Sequence, residues 1–141
     1  MLLIQNQIVT LDGLQSIANN IAAILGHDLK IVCIYGDLGA GKTTLCRFLI
    51  NSLAGVPTIV TSPTFCILQI YDFDLRQIYH YDLYRIENKQ ELLDLSIDNA
   101  LNNICLIEWP EIIEDFLPTN IIKIKLQYYN EYQRILNINS F

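Results

Sequence analysis

Ile31-Val32-Cys33-Ile34-Tyr35-Gly36-Asp37-Leu38-Gly39-Ala40-Gly41-Lys42-Thr43-Thr44 joins an apolar run to a glycine-rich turn and then to a helical pattern. Residues 31–35 are nearly all apolar and rich in β-branched side chains, as in a strand buried on both faces. From Gly36 to Thr43 the chain satisfies GxxxxGK[ST] at every required position. Glycine reaches positive φ and lets backbone approach a phosphate with no Cβ in the way. The turn then points its N–H groups inward as an anion nest. A helix beginning near Lys42 adds the positive end of its dipole. Lys42 is spaced to reach β- and γ-phosphates, and the Thr43 hydroxyl to ligate Mg²⁺. Asp37-Leu38-Gly39-Ala40-Gly41-Lys42-Thr43-Thr44 is thus predicted to hold a nucleotide's phosphates.

Outward from the loop, Leu14, Ile17, Ala18, Ile21, Ala22 and Leu25 recur at helical spacing, which predicts an amphipathic helix stopped by Gly26. After the loop, Leu45, Leu49 and Leu53 form a stripe four apart on a second helix. Thr58-Ile59-Val60 predicts a short strand. Residues 65–71 and 77–83 are β-rich runs separated by Asp72-Phe73-Asp74, as in a hairpin. Residues 87–95 and 97–101 suit short helices. Ile104-Cys105-Leu106-Ile107 is another wholly apolar strand, closed by Glu108-Trp109-Pro110, and Pro110 with the acids after it suits a first helical turn. Residues 121–126 and 134–138 are expected to pair antiparallel. Strands and helices in this order predict an α/β fold, a P-loop NTPase three-layer α/β/α sandwich with a mixed central sheet. At 141 residues, one domain over residues 1–141 is expected.

Composition narrows the function. Apolar residues make up 52% of the chain, enough for a core and too many for a disordered segment. No apolar run approaches the ~20 residues of a spanning helix, and the N-terminus lacks a signal peptide's basic region and cleavage site. A cytoplasmic protein with no membrane partner is expected. Cys33, Cys46, Cys66 and Cys105 form no CxxC pair and sit among apolar neighbours, as small hydrophobes in a reducing compartment do. A net charge of -6 with nine Lys plus Arg disfavours DNA or direct RNA binding, in which phosphate contacts dominate affinity.

P-loop enzymes also need a carboxylate at the end of a buried strand to hold Mg²⁺, directly or through water. Glu108 stands in that position and could also polarise the attacking water. Trp109 beside it either covers the site or caps the core. Thr61-Ser62-Pro63-Thr64-Phe65 is a polar, proline-pinned turn, read either as a plain turn or as a γ-phosphate sensor. His80-Tyr81-Asp82-Leu83-Tyr84-Arg85 ends a strand. If that strand continues, His80, Asp82 and Tyr84 share one face; a His–Asp pair there is more commonly a structural hydrogen bond than a catalytic or metal site.

The loop through Thr44, Ser62-Pro63-Thr64, the His80–Arg85 segment and Leu106-Ile107-Glu108-Trp109-Pro110-Glu111 occur together, in this order and at these separations, in one family. Over nearly its whole length the chain resembles the bacterial ATPase family TsaE, formerly YjeE, of the tRNA threonylcarbamoyladenosine pathway. The resemblance implies that Lys42 binds phosphates, that Thr43 and Glu108 hold Mg²⁺, and that Asp82 is a carboxylate needed for hydrolysis. It places Thr64 in a switch-like loop, Arg134 against the nucleotide, and Thr10 near the base. Gln133 stands where most relatives have Gly, and Leu14 and Ala18 where they tend to carry Thr and Gly. The resemblance further implies an accessory that docks on the TsaB–TsaD pair, with tRNA met only through those partners, and whose ATP cycle resets that complex.

Mg²⁺-dependent hydrolysis of ATP to ADP and phosphate follows, with Lys42 neutralising charge and Glu108 or Asp82 aligning water. Arg85 is an internal arginine-finger candidate; otherwise a partner completes the site and the free chain turns over slowly. Two other classes stay open: a nucleotide-gated interaction module, and a small-molecule kinase, although no lid-like insertion bears arginine. A guanine-reading N/TKxD segment is missing, which disfavours a GTPase.

Overall fold

The computed structural model describes residues 3–26, 28–61, 63, 66–73 and 76–140. In chain order the elements are β1 (Leu3–Thr10), α1 (Leu14–Ile24), β2 (Ile31–Tyr35), α2 (Lys42–Ala54), β3 (Leu68–Phe73), β4 (Arg76–Asp82), α3 (Gln90–Leu93), α4 (Ile97–Ala100), β5 (Ile104–Glu108), a 3₁₀ helix (Pro110–Phe116), β6 (Ile121–Tyr128) and β7 (Gln133–Ser140). The strands make one sheet in the order β1-β7-β6-β2-β5-β4-β3. Three central pairings, β2 with β5, β2 with β6 and β4 with β5, are parallel. The outer pairings, β1 with β7, β6 with β7 and β3 with β4, are antiparallel.

The apolar runs in β2 and β5 exist because both their faces are covered. Val32, Ile34 and Leu106 pack with Leu14, Ala18 and Ile21 of α1 and with Leu45 and Leu49 of α2. On the opposite face Ile31, Cys33, Cys105 and Ile107 meet Leu92 of α3, Ile97 and Ala100 of α4, and Ile113 of the 3₁₀ helix. Each fully buried aliphatic side chain here contributes about 1.5–3 kcal/mol. The result is the three-layer arrangement, with β2 and the loop after it at the centre.

The hairpin, the two short helices and the antiparallel β6–β7 pair all form. Two elements differ from the sequence expectation. Thr58-Ile59-Val60 is not a strand, and Ile59 is 90% exposed. This segment joins no strand of the sheet, and Asn51 Oδ1 accepts the Thr58 N–H at 2.6 Å. Conversely, β1 was not legible as a strand. Its register on β7 shifts between Ile4 and Gln7, with Asn6 at φ 50°, so the bulge breaks the period-2 pattern that betrays a strand. Among the described residues no helix is long and apolar enough to cross a membrane.

Candidate functional site

The site begins where β2 ends. Gly36 has φ 153°, and a Cβ there would lie 2.5 Å from Leu126 O and 3.1 Å from Ala40 Cβ, so close approach of β6 requires glycine. Gly39 has open space around it but φ 79°, so its backbone conformation is the reason for glycine. Lys42 opens α2 and is buried, folding its ammonium back into the loop. Nζ donates to Gly36 O at 2.6 Å and Asp37 O at 2.8 Å, and lies 4.4 Å from the centroid of the Trp109 ring. Burial pulls its pKa below the ordinary 10.5, while the carboxylates of Glu108, Asp82, Asp37 and Glu111 oppose that pull. These carbonyl bonds take two of the three ammonium donors.

Asp82 and Glu108 face each other in register at the C-terminal ends of β4 and β5. Glu108 is buried and heavily bonded. Its Oε1 accepts the Thr43 hydroxyl at 2.8 Å, and its Oε2 lies 2.6 Å from His80 Nε2. Cys46, one helical turn after Thr43, brings its thiol within 4.8 Å of the same carboxylate. His80 Nδ1 is buried with no partner among the described residues. A proton on Nε2 therefore satisfies the carboxylate and leaves only an acceptor unpaired, so that tautomer fits. Burial, together with the charges of Glu108 and Asp82 and the bond to Glu108, pushes the Cys46 thiol well above its ordinary value.

His80 thus pairs with Glu108 rather than Asp82. The strand also stops at Asp82, because Asp82 Oδ1 accepts the Tyr84 N–H at 3.1 Å and Leu83 N donates to Glu108 O. Tyr84 consequently leaves the His80–Asp82 face, and its ring packs on Trp109 with centroids 4.9 Å apart.

Arg134, buried in β7, braces the loop from behind. Its Nε donates to Ala40 O at 3.0 Å and Nη2 to Gly39 O at 3.1 Å, while Nη1 donates to Asn130 O and Gln133 O. Thr10 Oγ1 accepts the Gly13 N–H, capping the approach to α1. Arg85 is exposed on the turn after β4. Ser62 and Thr64 lie outside the described residues.

Asp82, Glu108, Thr43, Lys42, Thr44, Gly39, Gly41, Leu38, Trp109 and Arg134 share the lining of one cavity of about 280 Å³. Asp37 and Ala40 instead border a larger groove of about 960 Å³ over the open face of β6 and β7. That groove contains none of Lys42, Thr43, Asp82 or Glu108, so the chemistry belongs to the smaller cavity. The Thr43 hydroxyl and the Glu108 and Asp82 carboxylates are the hard oxygen donors that Mg²⁺ takes, and Lys42 with the loop's N–H groups suits a polyphosphate. These residues fit both groups.

Two contributors were missed in the sequence. Cys46 carried a signal, its i+3 spacing from Thr43. Leu11, which lines the cavity and is held by its N–H to Tyr132 O, carried none.

A glycine loop between a central parallel strand and a helix, with carboxylates ending the two neighbouring parallel strands, places the protein in the P-loop α/β class. The sequence model of the family described as threonylcarbamoyl adenosine biosynthesis protein TsaE matches residues 8–136. A Rickettsia prowazekii protein named tRNA threonylcarbamoyladenosine biosynthesis protein TsaE is 43% identical over 124 residues, covering 85% of this chain and 86% of its own. A Haemophilus influenzae protein of the same name is 39% identical over 113 residues, covering 77% and 71%. The crystal structure of Bacillus subtilis YdiB superposes with a TM-score of 0.74 at 25% identity, covering 100% of this chain and 89% of that one. The chain belongs to the TsaE family of tRNA threonylcarbamoyladenosine biosynthesis.

Proposed function

We propose that this chain is a cytoplasmic Mg²⁺-dependent ATPase that hydrolyses ATP to ADP and phosphate as an accessory subunit on the TsaB–TsaD pair. The observation that carries this is the convergence of Lys42, Thr43, Asp82 and Glu108 on one cavity at the end of the glycine loop. Lys42 and the loop N–H groups bind the phosphates, and Thr43 with Glu108 holds Mg²⁺. The ion, when bound, neutralises charge that develops on the phosphate oxygens. Asp82, beside Glu108, orients the attacking water. His80 keeps the Glu108 carboxylate aimed at Thr43. Trp109 and Tyr84 wall one side of the cavity.

Dependence on a partner has its own support. Arg134 lines the cavity but spends its guanidinium on four carbonyls, and Arg85 is not among the cavity's lining residues. A stabilising arginine finger is worth about 10³–10⁵ in rate, so the free chain turns over slowly and the TsaB–TsaD pair accelerates it. The same feature favours one other reading, a nucleotide-gated module with little turnover.

Steady-state ATPase assays alone, with purified TsaB–TsaD, and with Lys42→Ala separate these. Weak activity that rises with the pair and vanishes in the variant is expected. Strong activity indifferent to the pair, or wild-type rates in Lys42→Ala, would overturn the proposal. Nucleotide binding with no turnover, even with the pair present, would select the gated module.

A further inference from the structure

Beneath the proposed Mg²⁺ position lies a second, chemically different group of ligands. Cys46 Sγ, His80 Nε2 and a Glu108 oxygen lie within 4.8 Å of one another, all three residues buried. One comes from α2, one from β4 and one from β5, so the rigid centre of the fold holds them together. A tetrahedral zinc shell, with bonds of about 2.0–2.3 Å, separates its ligand atoms by about 3.4–3.6 Å. The His80–Glu108 pair, now 2.6 Å apart, has only to open by about an ångström to fit that shell.

We propose that Cys46, His80 and Glu108 form a binding site for a thiophilic divalent cation of the Zn²⁺ type, which captures Glu108 and blocks the site. Charge supports it. A thiolate and a carboxylate cancel the dication, so a neutral assembly replaces one that burial would penalise. Ligand softness separates the two ions: sulfur and imidazole select Zn²⁺, whereas Mg²⁺ keeps to oxygen. On binding, the Cys46 proton leaves to solvent, and the imidazole stays neutral by exchanging its Nε2 proton for one on Nδ1. That Nδ1–H then has no acceptor among the described residues. Without the outer-shell partner that a metal-bound histidine normally has, the site is exchangeable rather than a permanent structural centre. Glu108, which lines the cavity beside Thr43, is the ligand through which an ion would enter. The consequence for turnover rests on the proposed ATPase; the binding itself does not.

Titration of the nucleotide-free protein with Co²⁺ tests binding without any assay of hydrolysis. Wild-type protein should show a thiolate-to-cobalt charge-transfer band with the visible bands of tetrahedral Co²⁺, both displaced by Zn²⁺. Cys46→Val should remove the charge-transfer band and weaken binding more than about a hundredfold, beyond the loss of an outer-shell partner. Cys66→Ser should change nothing, since Cys66 is the exposed thiol. Absence of the band in wild-type protein, its persistence in Cys46→Val, or its loss in Cys66→Ser would each overturn the proposal. Should the band require Cys46 in a chain without ATPase activity, the site stands and the proposed function fails.

Discussion

The two flanks of β2 are built on different rules. Toward β5 and β4 the strands are parallel and covered on both faces, and Ile104–Glu108 is buried at every position. Toward β6, β7 and β1 only the face under α1 and α2 is fully packed, and β7 alternates between buried and partly exposed residues. The first flank carries the carboxylates and the buried thiol of Cys105. The second carries Arg134, which reaches across to bond the loop carbonyls of Gly39 and Ala40. The ordered carboxylates sit on the doubly covered side, and the open side braces the loop.

That contrast can be broken by substitution. Leu106→Ala empties a fully buried position between two layers and should cost about 2–5 kcal/mol of stability in urea unfolding. A loss below 1 kcal/mol would mean that the covered flank is not the rigid one. Under the proposed function, Lys42→Ala should lower the ATPase rate roughly 10²–10³-fold, the scale for losing one preorganised charge-stabilising donor. The loss of its bonds to Gly36 O and Asp37 O should cost about 1.5–3 kcal/mol in unfolding. Arg134→Ala leaves Gly39 O and Ala40 O without their charged donor and should cost about 1.5–3 kcal/mol. If its unfolding matches wild type, the brace is not structural.

Alkaline pH sharpens the contrast further. Burial pushes the Cys33 thiol from 9.0 up to about 12. The unfolded chain therefore releases a proton above pH 9 that the folded chain retains. Stability held below that pH falls through the window from 9.0 to about 12, with a slope of about 1.4 kcal/mol per pH unit for this thiol. Cys33→Val should flatten the slope by that amount, whereas an unchanged slope would show the thiol to be hydrated. The smallest effect belongs to the open flank: Lys125→Ala, on an exposed β6 position, should change stability by less than about 0.5 kcal/mol.

Legibility followed the same division. The apolar runs 31–35 and 104–108 showed themselves as buried strands because double coverage admits no polar residue. Lys42, Thr43 and Glu108 were singled out by motif position, since the GxxxxGK[ST] pattern demands fixed types at fixed spacing, and the fold brings all three to one cavity. β1 was missed because its bulge destroys the alternation, and Thr58-Ile59-Val60 was over-read because β-propensity is local and a strand needs a tertiary partner. His80 seemed to belong with Asp82, two residues away. Its actual partner is 28 residues distant, across the β4–β5 ladder.

The sequence alone determined the loop, the carboxylates and the family, because each rests on local order: which residue follows which, and at what interval. Only the tertiary structure decided that Glu108 gathers Thr43, His80 and Cys46, and that Arg134 is engaged by the loop's carbonyls. Those contacts depend on strand order and on how α2 and the loop pack against the ends of the strands. Neither quantity is written in the spacing of residues along one chain.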